Sequence, residues 1–238
     1  MSVTCRLIMD PPASGDWNMA TDEALLHTCE TKGEACLRFY QWSEPTVSLG
    51  YFQALADRGS HNASLGCHIV RRATGGGALI HDREITYSFT SPADSPWSKR
   101  PELLYDAFHE TLAAVMQERG APAVLCDSPE KRQPEPFLCF QRRARGDVLI
   151  EGVKVAGSAQ RRPRGAVLQH GGVLLSRSEA APELPGLEQL TGNPWDVESL
   201  VENWTARLTV RLEMQTRQSD LSESERQFAE AVCEEKYA

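Results

Sequence analysis

The stretch Arg71-Arg72-Ala73-Thr74-Gly75-Gly76-Gly77-Ala78-Leu79-Ile80-His81-Asp82 lies between two strand-like runs, residues 67–71 and 84–89. Three consecutive glycines between strands carry a high chain-entropy cost. They make sense where backbone takes positive φ or approaches a ligand closely. The loop is not a Walker loop, because the Gly-Lys-Ser/Thr ending is missing, and it lacks the spaced glycines of a dinucleotide fingerprint. On pattern alone a turn or bulge and a binding loop both stay open; the adjacent arginine pair favours an anionic or carbonyl ligand.

Outward from this loop the chain mixes helix and strand signals without a βαβ rhythm. Residues 18–30 read as a helix that Asn18 can cap, with Ala20, Ala24, Leu25 and Cys29 near one stripe. Residues 36–42 and 46–51 read as strands around the Glu44-Pro45 turn. Residues 101–119 form a helix opened by Pro101 and closed by Gly120, with Leu104, Phe108, Leu112 and Val115 as its apolar stripe. Residues 128–136 are a polar, proline-bearing loop. Residues 147–150, 153–157 and 167–175 read as strands or a hairpin set. Residues 196–212 are a helix with Val197, Leu200, Val201, Trp204 and Leu208 inward, and Ser222 and Glu225 form a capping box for a C-terminal helix carrying Phe228 and Val232. The expected fold is α/β (α+β), one domain over residues 1–238 with a mixed β-sheet flanked by helices, the C-terminal helices from about residue 196 packing on it.

Three further segments could carry chemistry. Lys154 sits inside the apolar stretch Asp147-Val-Leu-Ile-Glu-Gly-Val-Lys154-Val-Ala-Gly157-Ser158. Such a lysine usually snorkels to water; desolvated, it can donate a proton or hold a carbonyl oxygen. Gly157 and Ser158 would let a ligand approach the strand end. His170, in Gln169-His170-Gly171-Gly172, reads first as a structural hydrogen-bonding group. Cys139, in Phe137-Leu138-Cys139-Phe140, reads first as inert core, but the following Arg142-Arg143-x-Arg145 run would favour a nucleophilic thiolate.

Four motifs in order resemble the biotin/lipoate protein-ligase superfamily, in its lipoate-ligase and cysteine-dependent octanoyltransferase branch. They are Gly15-Asp-Trp-Asn18-Met-Ala-Thr-Asp22-Glu23, Leu37-Arg38-Phe-Tyr-Gln-Trp42 through Gly50, the Arg71–Asp82 loop, and Lys154-Val-Ala-Gly-Ser-Ala-Gln-Arg followed by Leu168-Gln-His-Gly171. The resemblance spans nearly the whole chain. It implies the class II synthetase-like catalytic fold of that superfamily, an essential lysine at Lys154, and substrate contacts from Arg72, Gly75, Gly76, Gly77, His81, Gly157, Ser158 and His170. Cys139 stands where the octanoyltransferases carry their acyl-accepting cysteine, and Gln160 and Gln169 also look like that branch. The Arg142-Arg143-x-Arg145 run departs from the pattern. The chain ends about 60 residues after Leu175, leaving little room for the extra domain of many ligases.

The implied activity moves an octanoyl (or lipoyl) group from acyl carrier protein, through a Cys139 thioester, to a lysine of a lipoyl domain, such as glycine-cleavage H protein or a 2-oxoacid dehydrogenase acyltransferase subunit. No cofactor is then required. An ATP- and Mg-dependent lipoate ligase, an octanoyl-H-protein amidotransferase, and a non-catalytic lipoyl-domain or fatty-acid binding protein are the alternatives. An octanoyl chain needs an apolar path, each buried methylene contributing about 0.8 kcal/mol.

Composition agrees with an ordinary globular protein: 238 residues, 41% hydrophobic and 24% charged. No apolar run reaches membrane-spanning length and no signal peptide is evident, so the expected setting is cytoplasmic. Seven cysteines without a Cys-x-x-Cys, and six scattered histidines, argue against a disulfide framework or a metal site. The net charge of −8 argues against nucleic acid, yet residues 131–164 hold nine basic and three acidic side chains, a local +6. That window is either a solvated loop region or a docking surface for an acidic partner, and acyl carrier proteins and lipoyl domains are acidic.

Overall fold

The computed structural model describes residues 3–129 and 136–237. Its elements in chain order are β1 (Val3–Met9), α1 (Gly15–Lys32), β2 (Ala35–Tyr40), β3 (Thr46–Leu49), β4 (His68–Arg71), β5 (Leu79–His81), β6 (Glu84–Ser91), α2 (Pro96–Lys99), α3 (Pro101–Glu118), β7 (Ala123–Leu125), β8 (Val148–Ile150), β9 (Val153–Arg161), β10 (Val167–Leu174), α4 (Leu187–Thr191), α5 (Val197–Arg211), β11 (Met214–Gln218) and α6 (Glu223–Val232). Eight strands form a mixed sheet in the order β11-β1-β2-β6-β10-β9-β8-β7, and β4-β3-β5 form a smaller one. Only the β11–β1 and β1–β2 pairings of the large sheet are parallel.

Helices cover both faces of the large sheet. On one face the α3 stripe of Leu104, Phe108, Leu112 and Val115 meets Trp204 and Leu208 of α5 and Phe39, Tyr87 and Phe89 of the sheet, all at most 2% exposed. The stripe is the sequence periodicity made real: one face of a 3.6-residue repeat is removed from water. On the other face α1 packs Ala20 and Ala24 against Ala229 and Phe228 of α6. Small residues there let the two helices approach. The Ser222–Glu225 capping box opens α6 as expected, and Glu225 also holds Arg6 of β1, so the cap ties the helix to the sheet.

Three expectations need correction. Ser14, not Asn18, caps α1, accepting from Trp17 N at 3.4 Å. Asn18 is buried one turn in, where its Oδ1 accepts from Arg38 Nη2 at 2.9 Å. The C-terminal region is more than two helices: it also holds α4 and β11, and β11 carries no apolar strand signal because four of its five residues, Gln215–Gln218, are polar. β9 runs four residues further than expected, to Arg161.

The small sheet sets the glycine loop. β4 and β5 both flank β3, so the loop joining them must cross the end of β3. It does so at Gly50, where a Cβ would lie 1.9 Å from Gly76 O. Only glycine fits beneath that crossing. Tyr51 N donates to Thr74 O at 2.9 Å and fastens the crossing strand segment to the loop.

Candidate active site

Cys139 opens a short 3₁₀ turn, Cys139–Gln141, and its N–H donates to Ala78 O at 2.8 Å. Ala78 N in turn donates to Phe137 O at 3.0 Å, so backbone hydrogen bonds stitch the cysteine segment to the glycine loop. Leu138 is buried in the apolar cluster of Val47, Leu49, Ala78 and Ile80, which anchors the turn. Cys139 itself stays half-buried. Burial pushes the thiols of Cys5 and Cys29 up to about 12, leaving them inert at neutral pH.

Lys154 reaches the same place from β9. It is 6% exposed, its Nζ lies 2.8 Å from Asp147 Oδ2, and it sits over the Phe140 ring at 5.4 Å from the centroid. It therefore does not snorkel. Asp147, 1% exposed, also accepts from Ala144 N at 2.7 Å and from Tyr105 OH at 3.0 Å. Burial, then Asp147 itself, raises the Tyr105 phenol above its ordinary range, and Cys139 adds to that rise. Cys139 Sγ lies 3.9 Å, and Arg72 Nη2 3.0 Å, from the point where a side chain on Gly76 would begin.

A β-bulge decides which residues share the lysine's face. Leu149 pairs with Lys154 but Val148 pairs with Ala156, so Val155 is the extra residue. Lys154 then shares its face with Gly157. A Cβ on Gly157 would lie 2.5 Å from Lys154 Cε and 2.9 Å from Asp147 Oδ1, so glycine is what lets the lysine lie down across the strand. Ser158 is thrown to the opposite face, where it bonds His109 Nε2 at 3.0 Å. The structure does not bring Ser158 to Cys139. Gln160 and Gln169 share that far face; Gln160 donates to Gln169 Oε1 at 2.7 Å and Gln169 donates to Tyr87 OH at 2.8 Å.

The remaining expected residues build the loop. Arg72 is 2% exposed and donates Nη2 to the carbonyls of Gly75 and Gly77, at 2.8 and 2.7 Å, curling the backbone around its guanidinium. Gly76 has φ +98 and is exposed, and Gly77 lies against the Arg142 guanidinium. His170 engages both ring nitrogens, with Thr74 Oγ1 at 2.5 Å and Asp22 Oδ2 at 3.3 Å, and burial lowers its pKa. Asp22 belongs to a buried set with Arg38 and Tyr40, so α1 is wired to the loop through His170. His81 is likewise saturated, by Ser48 and Glu84, and stacks on Trp42 at 3.9 Å. Both histidines brace the site from behind.

A cleft of about 520 Å³ opens beside the loop, lined by Phe52, Gln53, Gly76, Phe137 and Arg142 among others, a size usual for small-ligand sites. Exposed Tyr51 meets Phe52 edge-on at 4.9 Å, with Arg161 over the Tyr51 ring at 5.8 Å. Of the basic window, Arg145, Arg161, Arg162 and Arg164 are exposed, whereas Lys154 is spent on Asp147 and Arg142 is held by Pro136 O. Lys131, Arg132 and Glu135 lie outside the described residues.

The profile of the lipoyl protein ligase A/B catalytic domain matches residues 14–183. Octanoyltransferase LipM of Moorella thermoacetica is 42% identical over 181 residues, 73% of this chain and 66% of that one. Octanoyltransferase LipM of Lysinibacillus sphaericus is 32% identical over 259 positions, covering 94% and 93%. The bipartite lipoate protein ligase of Thermoplasma acidophilum superposes with TM-score 0.74 at 19% identity, over 99% of this chain and 94% of that one. This chain belongs to the lipoyl protein ligase A/B family, in its octanoyltransferase branch, and is an acyltransferase.

The structure also gathers residues around Lys154 and His170 that the motifs left unread. Asp147 pairs with the lysine, Tyr105 donates to Asp147, and Thr74 and Asp22 hold His170. Asp147 had one available signal: the Glu151-Gly152 turn pairs Leu149 with Lys154, which sets Asp147 past the lysine, just before the neighbouring strand begins. Tyr105 had none, since it arrives from a helix more than forty residues away. Among the described residues no helix is long and apolar enough to cross a membrane.

Proposed function

We propose that this chain takes an octanoyl group from the phosphopantetheine thioester of an acyl carrier protein onto Cys139 and passes it to a lysine of a lipoyl domain. The observation that carries this reading is a half-buried cysteine held by backbone to the glycine loop, with the Lys154–Asp147 pair beside it. In the first step the Cys139 sulfur attacks the thioester carbonyl. A new C–S bond forms, the carbonyl oxygen takes the electron pair, and collapse expels the donor thiolate. One thioester replaces another, so the exchange is nearly isoenergetic and needs no ATP. In the second step the acceptor amine attacks, the C–S bond breaks as the amide forms, and the proton the amine gives up goes to the departing Cys139 sulfur.

Lys154 has three N–H donors, of which Asp147 holds one. The others are available to the carbonyl oxygen as it gains charge, and the ion pair fixes the ammonium in place beforehand. The exposed arginines Arg145, Arg161, Arg162 and Arg164 supply a positive rim on a chain of net charge −8, which suits an acidic carrier. Transfer rates from an acidic carrier should therefore fall with added salt; rates constant across a salt titration would remove the rim from the argument.

The test is intact-protein mass after mixing with octanoyl-acyl carrier protein without ATP, for wild type and Cys139→Ala. A hydroxylamine-labile octanoyl adduct on wild type alone supports the reading. An adduct formed only from octanoyl-H protein would make the enzyme an amidotransferase. Lipoyl-domain modification that requires free lipoate and ATP, and that survives Cys139→Ala, would make it a ligase.

A further inference from the structure

The buried cations of this protein are Arg6, Arg38, Arg72 and Lys154 among the described residues. Three of them face carboxylates: Arg6 on Glu225, Arg38 on Asp10 and Asp22, and Lys154 on Asp147. Arg72 faces none. A guanidinium has five N–H donors. Four of Arg72's go to neutral oxygens: Nη1 to Ser48 O and Oγ at 2.8 and 3.2 Å, Nη2 to Gly75 O and Gly77 O at 2.8 and 2.7 Å. The fifth, on Nε, is buried without a partner. Burial pulls its pKa down to about 10, so the group is still charged at neutral pH.

A buried, uncompensated charge is costly and persists where something else requires it. The loop shows what lies next to it. The point where a side chain on Gly76 would begin is 3.0 Å from Arg72 Nη2 and 3.9 Å from Cys139 Sγ, so cation and sulfur are at most about 7 Å apart across a slot one methyl wide. The other charged or titratable groups around Cys139 are Arg142 on the following turn, Lys154 with Asp147 from β9 and the segment before β8, and Tyr105 from α3. Lys154 is already neutralised by Asp147. Arg72 is not.

We infer that Arg72 is the positioning residue that supplies anion-stabilising charge to Cys139, its guanidinium held without a carboxylate so that the sulfur anion is its counter-ion. This rests on Cys139 being the acyl acceptor. It also reassigns Arg72 from substrate contact to the wall behind the nucleophile. The glycines keep the space between charge and sulfur free of side chains, so the field is not diluted by distance.

The test compares two alkylating agents of similar size, anionic iodoacetate and neutral iodoacetamide, at one fixed neutral pH, with modification of the Cys139 peptide followed by mass spectrometry. In wild type the iodoacetate-to-iodoacetamide rate ratio at Cys139 should exceed that of glutathione under the same conditions. Arg72→Gln should lower the ratio on the order of tenfold, the effect of losing one partly screened charge at this separation. Arg72→Lys should keep the ratio within about twofold yet slow acyl transfer, because one ammonium cannot span Ser48, Gly75 and Gly77. A wild-type ratio no higher than that of glutathione overturns the inference, and so does a folded Arg72→Gln protein with an unchanged ratio. The wild-type measurement stands even where Arg72→Gln does not fold. Alkylation needs no acyl donor, so its outcome is separate from whether an octanoyl adduct forms.

Discussion

Asp147→Asn isolates the charge that holds Lys154. Asp147 Oδ2 receives Lys154 Nζ at 2.8 Å and Ala144 N at 2.7 Å, while Oδ1 receives Tyr105 OH at 3.0 Å. An asparagine can keep its oxygen at the first position and turn its NH₂ toward Tyr105 OH, which is able to accept. Shape and hydrogen bonds are thus retained and only the negative charge is lost. With the two residues at 1% and 6% exposure, little solvent is present to replace it. Breaking one side of a buried pair costs about 3–5 kcal/mol, because the partner stays buried and uncompensated. At ~2–4 °C per kcal/mol for a chain of this size, the melting temperature should fall by roughly 6–20 °C. Urea denaturation of wild type, Asp147→Asn, Lys154→Met and the double variant closes the cycle. The double variant carries no orphaned charge, so it should be more stable than Asp147→Asn alone, with a coupling energy of about 2 kcal/mol or more. A loss below about 1 kcal/mol in Asp147→Asn, or a cycle additive within ~0.5 kcal/mol, would refute the reasoning.

The Gly157→Ala substitution places a methyl 2.5 Å from Lys154 Cε, so the lysine must leave Asp147. Stability should drop by about 1–3 kcal/mol and acyl transfer on the order of a hundredfold; wild-type turnover in a folded Gly157→Ala protein would contradict the packing. Glu151 and Gly152 form the β8–β9 turn, both at positive φ (49 and 78), where Asn-Gly is the favoured pair. Glu151→Asn should raise the urea-derived stability by about 0.5–1 kcal/mol, and a decrease would count against strain at Glu151. Burial alone would raise the pKa of Glu225, but hydrogen bonds from Arg6 and Ser222 hold it at about 2, against an ordinary 4.5. Its folded value is depressed, so its stabilisation is complete above about pH 4.5 and is lost as pH falls through about 2. Urea midpoints of wild type and Glu225→Gln should differ above that window and converge within it; a gap independent of pH would be the contrary result.

Much of the molecule is legible without coordinates because local forces decide it. The α3 stripe of Leu104, Phe108, Leu112 and Val115, the Ser222–Glu225 box and the runs that became β2, β3, β6 and β10 each report a periodicity or a cap that neighbouring residues complete among themselves. The glycine loop and Lys154 are visible for the same reason: glycines and an isolated lysine in apolar company are costly wherever they occur. What lies outside local sequence is which side of a strand a residue faces and which distant charge meets it. Counting by twos from Lys154 puts Ala156 and Ser158 on its face, whereas the bulge at Val155 shifts the phase and puts Gly157 there instead. Asn18 is a good cap by residue type, but Arg38 draws it into the core and Ser14 takes the cap. Arg71 and Arg72 are indistinguishable as a pair in the sequence. Only the crossing of the loop over β3 buries Arg72 among carbonyls beside Cys139 and leaves Arg71 half-buried, because burial and electrostatic company are properties of the packed chain and not of any segment of it.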